Sequence, residues 1–177
     1  MRKGSASVGT VPAEILTAVR SDDDAAFDAL VSNEDCCFIV DWSEEDERIV
    51  QDCESVLRTG QLAAEWVDSD LFVIFGTKRV RVPLTESPAD RHITLLALNE
   101  ALSPVFEVRM LYASVGSDSA TFVPLSSGGW SALEKEAYEV MPRRFHRLAT
   151  QPNTFTEVVK IPTKARARPW WRFWSGG

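Results

Sequence analysis

Apolar and polar positions along this chain repeat with two different periods, and the changes of period mark out its elements. In "RVRVPL" (79–84), Val80, Val82 and Leu84 share one side while Arg79 and Arg81 share the other, the two-residue period of a half-buried strand. Two similar runs precede it. "LAAEWV" (62–67) is followed by Asp68-Ser69-Asp70, and "LFVIF" (71–75) by Gly76-Thr77. Short polar turns between such runs predict an antiparallel meander. Pro83 puts the third strand at an edge or ends it there. "VFEVRMLY" (105–112) alternates again, with Phe106, Val108, Met110 and Tyr112 inward; "ASVGSD" turns the chain and "SATFVPL" (119–125) returns it. "CCFIVDW" (36–42) is short and continuously apolar, which predicts a buried strand with Cys36 and Cys37 on opposite faces.

The remaining segments carry helical spacing. Ile49, Val50, Cys53, Val56 and Leu57 make one apolar face and predict a helix over 44–58. Ser43 is its expected cap, Asp46 stands at capping-box distance, and Gly60 is its expected terminator. "SPADRHITLLALNEAL" predicts a helix over 88–102, with Ser87 as cap, Pro88 in the first turn and Pro104 barring continuation. It has two stripes, one of Ile93, Leu96, Ala97 and Ala101 and one of Leu95, Leu98 and Leu102. So wide a surface predicts a helix laid across a sheet with Leu96 in the core. A last helix from Ser126 or Ser127 runs through Trp130, Leu133, Ala137, Val140 and Met141, with Pro142 breaking or kinking it before "RRFHRL". Two short helices open the chain. One is capped by Thr10 with Pro12 near its first turn; the other follows Ser21, with Asp22, Asp23 and Asp24 at its positive end and Phe27, Leu30 and Val31 on one side.

From residue 43 the order is helix, three strands, helix, two strands, helix, preceded by two short helices and one strand. Grouped strands without strict alternation predict an α+β fold, a mostly antiparallel sheet with helices packed on it. Residues 1–10 are expected to be disordered, 11–150 to form a single domain with its compact core in 44–148, and 151–177 to be an extension. The order over 44–148 resembles that of bacterial type III secretion chaperones, to which the opening helices and "CCFIVDW" would be additions. The resemblance is one of topology. It implies a small, acidic cytosolic protein that binds an extended partner along an apolar surface.

Length and composition, 177 residues at 45% apolar and 25% charged, fit one globular domain. No apolar run reaches the roughly 18 residues that span a bilayer. "MRKGSASVGT" has a basic start without the apolar stretch of a secretory signal. Three cysteines cannot all pair, and free thiols suit the cytoplasm. Charge changes the picture more. The chain is at −7; Lys164, Arg166, Arg168 and Arg172 give segment 164–174 a charge of +4, so residues 1–163 stand at −11. An acidic body lacks the basic footprint of a nucleic-acid binder, and no nucleic acid is expected as a partner.

Candidate chemistry is sparse. The acids of "DWSEEDE" (Asp41, Glu44, Glu45, Asp46, Glu47) offer oxygen ligands to a hard cation, but they lack a DxDxDG loop, and first-turn acids suit the helix dipole anyway. His92 and His146 are the two residues with near-neutral acid–base chemistry. A Cys53–His92 dyad across packed helices is the remaining nucleophile pairing. Gly128 and Gly129 open a helix end or simply connect strand to helix. No catalytic residue, cofactor or metal is expected. The unusual feature is "ARARPWWRFW" (165–174). Arg168, Trp170, Trp171, Arg172, Phe173 and Trp174 form a basic aromatic cluster that resembles cationic tryptophan-rich antimicrobial peptides in composition. These six are the candidate binding residues, for another protein or for an anionic membrane; the alternative is that they fold back on the acidic body. The expectation is a non-enzymatic cytoplasmic protein that binds another, basic protein, such as an immunity protein or a secretion-chaperone-like partner. The alternatives are a peripheral membrane adaptor anchored by 164–177 and an enzyme with an unrecognised site.

Overall fold

The meander forms as its alternation predicts. In the computed structural model, which describes residues 10–163, β2 (Leu62–Val67), β3 (Asp70–Phe75) and β4 (Lys78–Val82) make an antiparallel sheet with β3 in the middle. Leu62, Leu71, Val73, Val80 and Val82 are buried on its inner face. On the outer face the Arg79 guanidinium lies 3.9 Å from the Phe72 ring centre and 3.0 Å from Glu65. Pro83, which has no amide hydrogen, follows the last residue of β4 at the sheet edge.

A second antiparallel sheet has the order β1-β6-β5-β7 and comprises β1 (Phe38–Asp41), β5 (Phe106–Leu111), β6 (Ser119–Ser126) and β7 (Phe145–Arg147). The fold is therefore α+β, with its strands divided between two sheets. The helices α3 (Asp46–Leu57) and α4 (Asp90–Leu102) touch strands of both sheets and enclose one core with them. The other face of the four-stranded sheet is covered by α1 (Ala13–Ser21), α2 (Asp24–Val31), α5 (Ser127–Glu136) and α6 (Met141–Arg144), which enclose a second core. This corrects the one-sided reading of 105–112. Leu111 is fully buried and Arg109 is 3% exposed, because the second helical layer sits on the side expected to face water.

Local corrections have local causes. Pro12, not Thr10, is the N-cap residue of α1. Ser43 does not cap α3: its amide and hydroxyl both donate to the Asp41 carboxylate, at 2.8 and 2.6 Å, and the helix starts at Asp46. Arg58, at φ 53°, provides the left-handed exit from α3, while the Glu54 carboxylate accepts the Gly60 amide and the Thr59 hydroxyl. The N-cap residue of α4 is Ala89, not Ser87. In that helix Leu95, Leu98 and Leu102 are fully buried; of the other stripe Ala97 and Ala101 are buried as well, but Leu96 is only half-buried and does not sit in the core as expected. Ser126 caps α5 by accepting the Gly129 amide at 3.0 Å. That helix ends at Glu136, and Pro142 lies in the first turn of the separate α6, where its missing amide hydrogen costs nothing. "RRFHRL" contains the strand β7, absent from the reading of the sequence. Cys36 and Cys37 precede β1 instead of lying on it. Both sulfurs enter the second core, 3.7 Å apart.

Between residues 151 and 159 the chain stays on the body. The Phe155 ring stacks on Phe122 at 6.2 Å, and Val159 is buried in the first core.

Candidate functional site

Two tryptophans stand out of this acidic body. The Asp41–Ser43 hydrogen bonds turn the chain at the end of β1 and leave Trp42 57% exposed. Trp66 lies on the edge strand β2, paired with Leu71, and is 45% exposed. Its indole N–H donates to Glu47 of α3, which fixes the ring at the rim of the sheet. Between them runs a groove of about 560 Å³, whose third wall is the loop Glu86–Pro88 with Asp90 and Arg91 at the start of α4.

That loop is held by Asp90, whose side chain is buried. Its carboxylate accepts the Thr85 amide at 2.9 Å, the Thr85 hydroxyl at 2.8 Å and the Ser87 amide at 3.1 Å. Burial alone would raise its pKa, but hydrogen bonds from the Thr85 hydroxyl and from the amides of Ser87, Thr85 and Glu86 outweigh it, and the pKa lies below the ordinary value. Asp46 shows the reverse. Burial dominates and raises its pKa, although the Thr94 hydroxyl donates to it at 2.7 Å and the Arg91 guanidinium stands 3.4 Å away. Asp46, Glu86 and Asp90 line the groove, and Arg91 is the one basic residue among the lining.

The two aspartates give a test with opposite signs. A lowered folded pKa means that Asp90 contributes stability above the unfolded value of about 3.9, lost as pH falls through the folded pKa. A raised one means that ionising Asp46 costs stability as pH climbs from about 3.9 through its folded pKa. Carboxyl carbon NMR titration of the full chain is expected to show Asp90 titrating below an ordinary aspartate and Asp46 above it. Asp46 titrating at or below the ordinary value would contradict the placement of its carboxylate.

Trp42 also forms the edge of a second, more apolar groove of about 540 Å³, with Met110, Val115, Phe155, Val158 and Val159 in its walls. Two grooves thus meet at one indole. The sequence carried a signal for this pair that periodicity does not weigh. Trp42 directly follows a strand and precedes an acidic helix start; Trp66 falls in a strand whose other inner positions, Leu62 and Ala64, are smaller. A large aromatic at a strand end reads as core unless the neighbouring helix is known to stop short of it.

Other candidates are held apart or already engaged. Asp41 receives Ser43, Asp46 receives Thr94, and Glu47 receives Trp66; among the described residues no three His, Cys, Asp or Glu side chains gather as a metal site. His92 is buried, with Nε2 2.8 Å from the Ala149 carbonyl and Nδ1 3.1 Å from the Thr154 hydroxyl, so neither nitrogen is offered to Cys53. Burial lowers the His92 pKa and pushes the Cys53 thiol well up. His146 meets the Tyr112 hydroxyl at 3.2 Å beside a third cavity of about 520 Å³, and burial followed by the charge of His92 lowers its pKa. The Gly129 amide is taken by the Ser126 cap. The candidate binding residues Arg168, Trp170, Trp171, Arg172, Phe173 and Trp174 lie outside the described residues. Among those described, no helix is long and apolar enough to cross a membrane. Compared with protein-family models, curated proteins and solved structures, the chain matches none.

Proposed function

We propose that this is a non-enzymatic cytoplasmic protein that binds another protein, taking an extended basic and aromatic segment of it into the groove between Trp42 and Trp66. The exposed tryptophan pair over an acidic trough carries the reading. Tryptophan and arginine are enriched among residues that dominate binding energy, and an exposed indole offers a large rigid face at small entropic cost. The charge supports it. Residues 10–163 hold all 26 acids and 13 of the 19 basic residues, a net charge of −13 that draws a basic partner and speeds encounter. Three unpaired cysteines, all buried, suit a reducing compartment.

The test is photocrosslinking in cells that produce the protein, with benzoylphenylalanine at position 42 of the full chain and at exposed Ala132 as control. The expected result is a discrete protein adduct from position 42, absent from 132, whose linked peptide is rich in Lys or Arg. Loss of that adduct in the Trp66→Ala background ties it to the groove. Adducts to lipid alone would favour the membrane-adaptor reading, and adducts equal at both positions would remove the groove from the account.

A further inference from the structure

We infer that segment 149–159 is a strap over the first core that opens on mild acidification, with His92 of α4 as its latch. Opening lifts Phe155 from Phe122 and bares the apolar floor beneath.

The strap is held at few points. Among the described residues, no backbone–backbone hydrogen bond ties it to the rest of the chain; its Glu157 amide bonds back to its own Asn153 carbonyl. Side chains do the holding. The Asn153 amide group donates to the Ala89 carbonyl at 3.1 Å, the Phe155 ring stacks on Phe122, and Val159 is buried. Thr154, Phe155 and Val159 also wall the apolar groove that has Met110 and Ala120 in its lining. A segment so attached opens at less cost than a paired strand does.

The remaining attachment is His92, and both of its ring nitrogens are spent on the strap. Nε2 lies 2.8 Å from the Ala149 carbonyl, which can only accept, so Nε2 carries the hydrogen. In the neutral ring Nδ1 then has a lone pair. It faces two donors of Thr154, the hydroxyl at 3.1 Å and the backbone amide at 3.4 Å. Protonation puts a second hydrogen on Nδ1. The hydroxyl can turn and accept it, but the amide cannot, and two N–H groups are left pointing at each other. The latch therefore holds only the neutral ring, which is 1% exposed with no carboxylate bonded to it.

The charges around it leave that logic intact. Glu157 on the strap favours a charged His92, and His146 on β7 is near enough for each ring to oppose the other's charge. On α4 itself, Asp90 is committed to the Thr85–Ser87 loop and Arg91 to Asp46. Asp46 of α3 is bonded to Thr94. On β4, Arg79 and Arg81 pair with Glu65 and with Asp70 of β3. On β5, Arg109 pairs with Glu107 and sits over Trp130, on the far side of the sheet.

Burial is the largest influence on His92 and holds its pKa below the ordinary value; the Ala149 bond and Glu157 do not offset it. A ring freed by opening titrates near 6.5. The contribution of the latch is thus fully present above about pH 6.5 and is lost as the pH falls from there through the lower pKa of the closed ring. Between pH 7.5 and 5.5 the open population rises severalfold, to a limit of about tenfold where the closed ring stays neutral throughout.

The experiment is amide hydrogen exchange of the full chain at pH 7.5 and 5.5, with rates corrected for intrinsic exchange. Residues 154–157 are expected to lose protection severalfold at pH 5.5, while residues 71–75 of β3 keep theirs. His92→Gln retains an N–H for the Ala149 carbonyl and cannot ionise, so the difference between the two pH values should vanish. His146→Gln should retain it. Equal strap protection at both pH values overturns the inference. So does loss of β3 protection in step with the strap, which is acid unfolding of the whole molecule. A response that survives His92→Gln, carried by His146 or Asp46, overturns it too. Should His92→Gln fail to fold, ring-carbon NMR of the unmodified protein decides. The His92 midpoint must lie below 6.5 and coincide with strap exchange; a midpoint at or above 6.5 sinks the latch.

Discussion

Leu98→Asp is expected to leave no folded protein at room temperature, while Leu96→Asp, two residues away on the same helix, folds. Leu98 is fully buried between the two sheets, with Val73, Val80 and Val108 in the same core. A carboxylate there finds no cation, and an unpaired buried charge costs several kcal/mol, either as desolvation or as forced protonation. Removing the leucine from the core adds about 2–5 kcal/mol. Against a total stability of about 5–15 kcal/mol the sum is decisive. Leu96 is half-buried and reaches water, so its replacement is expected to cost on the order of 1 kcal/mol. Circular dichroism melts of both variants check this. A cooperative melt for Leu98→Asp near that of the wild type would mean that α4 packs through a different stripe.

The contrast shows what periodicity reveals and what it leaves open. The seven apolar positions on α4 spread over a wide arc, and spacing alone does not say which edge of that arc meets water. The polar residues decide it, and the structure places His92, Thr94 and Asp90 inside. His92 is held by Thr154 and Ala149, Thr94 donates to Asp46, and Asp90 ties down the Thr85–Ser87 loop. The partners of His92 and Thr94 are distant in sequence and those of Asp90 lie in the loop before its helix, so the spacing within the helix announces none of them. The strands were legible because their alternation is local: the register Val73↔Val80 follows from two short turns and matched hydrophobic faces. The division into two sheets was not, since it depends on β1 pairing with β6 across some eighty positions. The groove shares that origin. Trp42 follows the last residue of β1 in one sheet, Trp66 lies on β2 of the other, and the two become neighbours of one trough only through α3 and the start of α4.

The second core offers the other large effect, at Trp130. Its side chain is 1% exposed, its indole N–H donates to the Glu107 carbonyl at 2.8 Å, and its ring meets Phe145 edge-on at 5.2 Å. The Arg109 guanidinium lies 4.2 Å over the same ring, held by Glu107 at 2.8 Å and Glu134 at 2.7 Å. Trp130 therefore supports β7, a three-residue strand whose Phe145 it backs, and covers a buried cation. Trp130→Ala is expected to cost about 3–5 kcal/mol from lost packing and the cavity left behind. Trp130→Phe keeps most of the ring and loses the hydrogen bond, for about 1–3 kcal/mol. Arg109→Met is expected to cost less than Trp130→Ala. Arg147 stays 3.6 Å from Glu107 and 2.7 Å from Glu134, and both acids reach solvent, so neither is stranded. Denaturant melts rank the three variants. Hydrogen exchange on Trp130→Ala should show the amides of β7 and α5 losing protection before those of β3. If Arg109→Met proves the most damaging of the three, the ion pairs and not the indole hold this side of the sheet.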